Sequence, residues 1–171
     1  MALLHHAFKH VLITIVLTLA SARLAAQPLV YVKQYQQTVI ALSDSFGIPA
    51  ELIMGIALVE SGAGTSQVCK NLHNHFGIKA SKHYQNYNGF KSRFKFYETD
   101  SLSFVDFCAY VKRRKYYAQL KGNFNYNAWL NAMAKSGYSG SPKAWKSKIR
   151  TTIKKYNLVA LHPNNANQQQ P

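Results

Sequence analysis

The segment PAELIMGIALVE, Pro49 to Glu60, constrains this chain most. Pro49 suits the opening of a helix near its first position. Ile53, Ala57 and Glu60 fall at helical spacing and share one face, while Leu52, Ile56 and Val59 share the adjoining one. A helix that is apolar nearly all round has to be buried, so the rest of the chain must pack around it. Glu60 carries one of these buried faces into the turn Ser61-Gly62-Ala63-Gly64. A carboxylate in an apolar setting is costly to ionise. A carboxylic acid that keeps its proton near neutral pH is what glycoside cleavage needs as a proton donor. The plainer alternative is a helix-terminal Glu that simply reaches water.

The flanking segments read as helices that could surround such a core. Pro28 to Phe46 carries a stripe of Tyr31, Tyr35, Thr38, Leu42 and Phe46, and Gly47 ends it. A short helical turn covers 65–72. Residues 81 to 97 read as two short strands, with Asn88-Gly89 as the hairpin turn. Thr99 or Asp100 caps a long helix to about Leu120, whose core face is Phe104, Phe107, Cys108 and Val111. A further helix spans Asn125 to Ser136. In the last, Ser141 serves as cap and Pro142 as first residue. Its core stripe is Trp145, Ile149, Thr152, Ile153 and Tyr156, with Lys143, Lys146, Arg150 and Lys154 lying away from it.

Charge is lopsided, with 21 Lys and Arg against 6 Asp and Glu and a net charge of +15. Such a field favours polyanions and anionic surfaces: nucleic acid, acidic lipid or cell wall. The N-terminus chooses among them. Lys9 and three His precede an apolar run from Val11 to Ala20, and Ala20-Ser21-Ala22 offers a cleavage site, with a second after Ala26. Residues 1–26 therefore read as a secretory signal peptide, too short for an ordinary membrane span. The expected protein is exported, periplasmic or extracellular, with no nucleic-acid partner and no stable membrane span after cleavage. The domain covers 28–160, and the Asn- and Gln-rich 161–171 reads as a disordered tail. In an exported protein the two cysteines, Cys69 and Cys108, are either a bridge or two buried thiols. His73 and His75 read as two surface histidines in a loop, and no metal or other cofactor is expected. Lys112-Arg113-Arg114-Lys115 reads as a solvated basic face.

Several stretches resemble glycoside hydrolase family 73, the bacterial cell-wall glucosaminidases. ALVESGAGTS resembles the family's A-x-x-E-S-G-x-G-x-S, and HNHFGIKA its N-N-x-F-G-I-K-x. FKFYETDSLSFVDF resembles F-R-x-Y-x-S-x-x-x-S-x-x-D-y. Lys115-Tyr116-Tyr117-Ala118 resembles R-Y-A, and SGYSGSPKAWKSKIRTTIKKYNL resembles the closing G-Y-A-T-D-P helix. The resemblance spans about residues 30 to 158. It implies a mainly α, lysozyme-like helical domain with a small β-hairpin lobe flanking a substrate groove. It implies hydrolysis of the β-1,4 bond after N-acetylglucosamine in peptidoglycan glycan strands. It carries over Glu60 as general acid and Tyr138 as the hydroxyl near the reacting sugar, and suggests Asn74, Phe76 and Tyr117 as groove or site-shaping residues.

The sequence departs from the family pattern in three places. The hairpin stretch Tyr84 to Gly89 has no carboxylate, Thr-Asp-Pro becomes Gly140-Ser141-Pro142, and His73 replaces the first Asn of its pair. A second catalytic group must then come from another acid, such as Glu98 or Asp100, or from the substrate's own N-acetyl group. The second route is favoured, because both acids sit at the start of a helix, where stabilising its amides explains them. Tyr138 would then orient the acetamido group or stabilise the developing charge. A lytic transglycosylase and a degenerate, non-catalytic wall-binding module are the competing readings.

Overall fold

The computed structural model describes residues 26–80 and 83–161. The predicted signal peptide lies outside these residues except for Ala26, and the tail lies outside them from residue 162. Leu161, read as the first tail residue, instead closes a final 3-10 turn, η1, Leu158–Leu161.

Helix α1 is described over 26–46. Tyr31, Tyr35, Val39 and Leu42 are its buried stripe, so the core register takes Val39 where the sequence suggested Thr38. Gly47 ends the helix at φ 62°, and its carbonyl accepts the N–H of Gly122 at 2.9 Å. A Cβ at Gly47 would sit 2.8 Å from the Gly122 nitrogen. Both the left-handed backbone and this close approach require glycine there.

Helix α2, Ala50–Ser61, is buried from Ala50 to Leu58, as its all-round apolar pattern demands. Gly62 ends it in the left-handed conformation and donates its N–H to the Leu58 carbonyl. Helices α6 (Tyr126–Lys135) and α7 (Pro142–Lys155) and the η1 turn pack against it. Gly55 makes the α7 approach close: a Cβ there would lie 2.9 Å from Ile153 Cγ1. From α7, Trp145, Ile149 and Ile153 enter the core, each worth about 1.5–3 kcal/mol of burial for side chains of this kind. Pro142 occupies the first turn as expected, but Ser141 makes no side-chain cap bond.

Helix α3, Gln67–Leu72, is capped by Ser66, which accepts the Cys69 N–H. Strands β1 (Gln85–Tyr87) and β2 (Phe90–Ser92) pair antiparallel across Asn88-Gly89, whose φ values of 51° and 86° give the left-handed pair a tight hairpin needs. The chain below the hairpin stays paired: Lys95 N–H bonds the Ile78 carbonyl at 2.8 Å and Ala80 N–H the Arg93 carbonyl at 2.9 Å. This small lobe is the only sheet among the described residues.

Helix α4, Asp100–Lys112, is shorter than its sequence suggested. The expected single helix to Leu120 breaks at Arg113, tightens through Arg114 N–H to the Val111 carbonyl at 3.0 Å, and resumes as α5, Tyr117–Leu120. The break turns Tyr117 inward, where its hydroxyl donates to the Phe46 carbonyl at 2.7 Å. No Gly or Pro marks the site; tertiary packing overrides local propensity.

Both cysteines are free and buried, which resolves the two readings in favour of thiols. Burial pushes each up to about 12, with the charge of Asp100 adding to the effect at Cys69. Among the described residues no helix is long and apolar enough to cross a membrane.

Candidate active site

The end of α2, the foot of the hairpin lobe and one face of α4 enclose a cleft of about 720 Å³. Glu60 reaches it from α2, Phe76 to Ala80 and Lys95 from the lobe, and Asp106, Tyr110 and Arg113 from α4 and its C-cap, and Tyr138 and Ser139 complete the lining. Asp106, Tyr110 and the C-capping Arg113 are spaced i, i+4 and i+7, so they follow one face of that helix to its end.

Glu60 is half-buried and directed by a tryptophan. Trp145 Nε1–H donates to Glu60 Oε1 at 2.8 Å. An indole N–H can only donate, so Oε1 must be the accepting oxygen, and an acidic proton belongs on Oε2. The turn after Glu60 is fixed from within. Ser61 Oγ donates to the Ala57 carbonyl at 2.6 Å and accepts Gly64 N–H at 2.9 Å. The sequence placed Trp145 in the core stripe; the structure adds this polar edge.

Trp145→Phe keeps the packing but removes the donor. Because a hydrogen bond to a neutral acid is worth about 0.5–1.5 kcal/mol net, kcat is expected to fall by about two- to tenfold. Steady-state kinetics with KM determined separately checks this. A kcat equal to wild type would mean that the bond does not hold the acid in place.

Tyr138 packs its ring 5.0 Å from Trp145 and edge-on to Phe107 at 6.3 Å. Burial first, then the neighbouring Glu60 charge, push its hydroxyl well above the usual phenol range. It therefore stays a neutral donor at working pH. Phe76 stacks flat on Phe107 at 4.0 Å and forms part of the cleft wall.

Asn74 acts behind that wall. Its amide nitrogen donates to the Ile78 and Lys95 carbonyls at 2.9 and 2.8 Å, and its oxygen accepts Ile78 N–H at 3.1 Å. It is buried and shapes the loop from inside. Tyr117 lies in the core against Trp129 and is not part of the cleft lining. Glu60, Tyr138 and Phe76 thus meet at one cleft, Asn74 supports it, and Tyr117 stands apart.

Asp106 is the cleft's second carboxylate, and the sequence reading gave it no role. Its Oδ2 accepts both Lys95 Nζ at 2.9 Å and the Tyr97 hydroxyl at 2.8 Å. Burial alone would raise its pKa. The bonds from Lys95 and Tyr97, with the charges of Lys95 and Arg113, outweigh that and hold it below the usual carboxylate range. It is a committed anion facing the cleft.

The two acids named from sequence lie elsewhere. Glu98 is exposed, and Asp100 faces a separate polar pocket of about 220 Å³. Asp100 accepts the Tyr35 hydroxyl at 2.6 Å, His73 Nδ1 at 2.8 Å and His75 Nε2 at 3.0 Å, so it does much more than stabilise a helix end. This corrects the reading of two surface histidines. His75 is 1% exposed, packed beside Phe104 and Tyr35, with its Nδ1 2.5 Å from the Tyr31 hydroxyl. His73 sits left-handed at φ 51°, where the family's Asn would be more at ease, and its bond to Asp100 holds it there. No group of three or more His, Cys, Asp or Glu among the described residues is arranged to hold a metal.

Burial holds the His75 imidazole below its usual range, against the opposing pull of Asp100. The unfolded chain therefore takes up a proton at this residue near pH 6.5 that the folded protein refuses. Stability is expected to fall as pH drops from about 7.5 to 5, by at most about 1.4 kcal/mol per unit for one proton. Urea midpoints across that range check this, and His75→Asn should flatten the slope. An equal slope in the variant would assign the acid sensitivity to other groups.

The comparisons agree with this geometry. The profile of the glucosaminidase family, described as mannosyl-glycoprotein endo-beta-N-acetylglucosaminidase, matches residues 36–158. A peptidoglycan hydrolase from Sphingomonas sp. A1 shares the fold with a TM-score of 0.62 at 23% identity, covering 83% of this chain and 97% of that one. The glycoside hydrolase domain of Salmonella typhimurium FlgJ gives 0.62 at 21%, covering 82% and 95%. The catalytic domain of the autolysin Auto from Listeria monocytogenes gives 0.65 at 17%, covering 80% and 88%. No curated protein matches the chain. With most of the chain matched, and with a mainly helical domain and small hairpin lobe like those neighbours, the protein belongs to the glucosaminidase family, glycoside hydrolases of family 73.

Proposed function

We propose that this glycoside hydrolase is exported and cleaves the β-1,4 bond after N-acetylglucosamine in the glycan strands of peptidoglycan. The observation that carries the reading is Glu60, oriented by Trp145 at the edge of a cleft that also holds Tyr138 and Asp106. The solved peptidoglycan hydrolases with this fold support the substrate. Export rests on the charged and apolar N-terminal pattern and on where peptidoglycan lies.

Glu60 Oε2 gives its proton to the glycosidic oxygen as the bond to the anomeric carbon breaks and positive charge grows on the sugar. The acetamido oxygen of the same sugar attacks that carbon and closes an oxazolinium ring. Asp106, already ionised, stabilises the positive ring, and the neutral Tyr138 hydroxyl orients the acetamido group. Water then opens the ring from the face the leaving group occupied, returning a proton to Glu60.

The absence of a hairpin carboxylate was the argument for a degenerate binding module. Asp106 gives the cleft a second carboxylate, which supports the enzymatic reading over that one. Mass spectrometry of purified peptidoglycan after digestion tests the reading. New reducing N-acetylglucosamine ends support it; 1,6-anhydro ends would make the enzyme a lytic transglycosylase, and no cleavage would overturn an enzymatic role on this polymer.

A further inference from the structure

The cleft wall has more positive charge than its acids use. Lys79, Lys95 and Arg113 line it, against Glu60 and Asp106. Lys95 is spent on Asp106 at 2.9 Å. The neighbouring Arg114 is spent too, its guanidinium lying 3.9 Å over the Tyr110 ring. Lys79 remains, and so does Arg113, whose charge reaches Asp106 without an ion pair to it. Both are exposed, and among the described residues neither has a carboxylate within ion-pair distance.

These two cations reach the cleft wall from different elements. Lys79 comes from the lobe, in the bridge that pairs it with Phe94, and Arg113 from the C-terminal end of α4. Paired backbone and a helix end fix both attachment points. A neutral N-acetylated glycan offers such charges hydroxyl and amide oxygens but no countercharge. A guanidinium fork and an ammonium matched to one groove suit carboxylates.

We infer that Lys79 and Arg113 form a carboxylate-binding subsite that reads the acidic branches of the glycan. This rests on the proposed action on peptidoglycan and deepens it: the enzyme selects strands bearing carboxylates over neutral glucosamine polymers. The carboxylate has two possible sources, the stem peptide on muramic acid or the lactyl group left when that peptide is removed.

Three soluble substrates separate these: peptide-bearing strands, strands stripped of peptide with the lactyl carboxylate free, and neutral chito-oligosaccharides. In wild type, kcat/KM is expected to be higher on acidic strands than on the neutral oligomer. In the double variant Lys79→Gln/Arg113→Gln that preference should fall by about fivefold, the scale of two exposed charge pairs lost together. A fall on peptide-bearing strands only assigns the subsite to the stem peptide; a fall on stripped strands only assigns it to the free lactyl carboxylate, and a fall on both shows that it takes a carboxylate from either. An unchanged preference overturns the inference while leaving the hydrolase reading in place. If wild type cleaves none of the three, the hydrolase reading fails. Calorimetric binding of the same acidic strands to wild type and double variant still decides the subsite, equal affinities overturning it.

Discussion

Glu60→Gln is expected to lower kcat by about a hundred- to ten-thousand-fold with the fold intact, the usual worth of general acid catalysis. The substitution keeps the shape of the side chain. Its amide oxygen can still accept the Trp145 N–H that now reaches Oε1 at 2.8 Å, so the α2–α7 contact has no reason to change. What it lacks is a proton to give to the leaving oxygen. Release of reducing ends from purified wall measures the loss, and circular dichroism with a urea midpoint verifies the fold. A folded variant that keeps more than about a tenth of the wild-type rate would rule Glu60 out as the acid, because that is far short of the expected loss. Glu98→Gln is the internal control, since Glu98 is exposed and outside the cleft lining.

How much of this was legible in sequence depends on the kind of signal. Helix α2 was legible because an all-round apolar face has one solution, burial, and Gly62 marks its end. The hairpin was legible because Asn88-Gly89 is a backbone instruction written in two residues. The α4 break was not, because nothing local interrupts the chain there; the cause is Tyr117 reaching Phe46, far away in sequence. Trp145 was placed correctly in the core, but its N–H partner depends on how α7 crosses α2, which no single helix encodes. Asp106 was missed although its signal was present. Phe104, Phe107, Cys108 and Val111 mark the core face of α4, and Asp106, Tyr110 and Arg113 repeat at the same spacing on a neighbouring face. Glu98 and Asp100, at the start of the same helix, offered the nearer substitutes for the acid the hairpin lacks. Asp100 had a second task that sequence could not show, because Tyr35, His73 and His75 converge on it from α1 and the loop after α3.

Asp106→Asn is expected to cost about a hundred- to a thousand-fold in kcat, the scale found when one preorganised electrostatic partner of a transition state is removed. The carboxylate sits in the cleft as an anion, held by Lys95 and Tyr97 on Oδ2, so Oδ1 carries neither of these bonds. An amide there is neutral and cannot stabilise positive charge. Loss of rate alone fits two mechanisms. If Asp106 stabilises an oxazolinium formed by the acetamido group, two displacements occur and the anomeric configuration is retained. If Asp106 instead deprotonates a water that attacks directly, one displacement occurs and the configuration inverts. The bonds to Lys95 and Tyr97 favour the first role, because they stabilise the anion and make it a weak base. Proton NMR of the first-formed product, read before mutarotation, is expected to show retention. Tyr138→Phe should then lose rate as well, because its hydroxyl positions the attacking acetamido oxygen. An inverted product would transfer the role of base to Asp106 and end the substrate-assisted route. A folded Asp106→Asn enzyme with near-wild-type kcat would remove Asp106 from the mechanism and leave Tyr138 as the partner of Glu60.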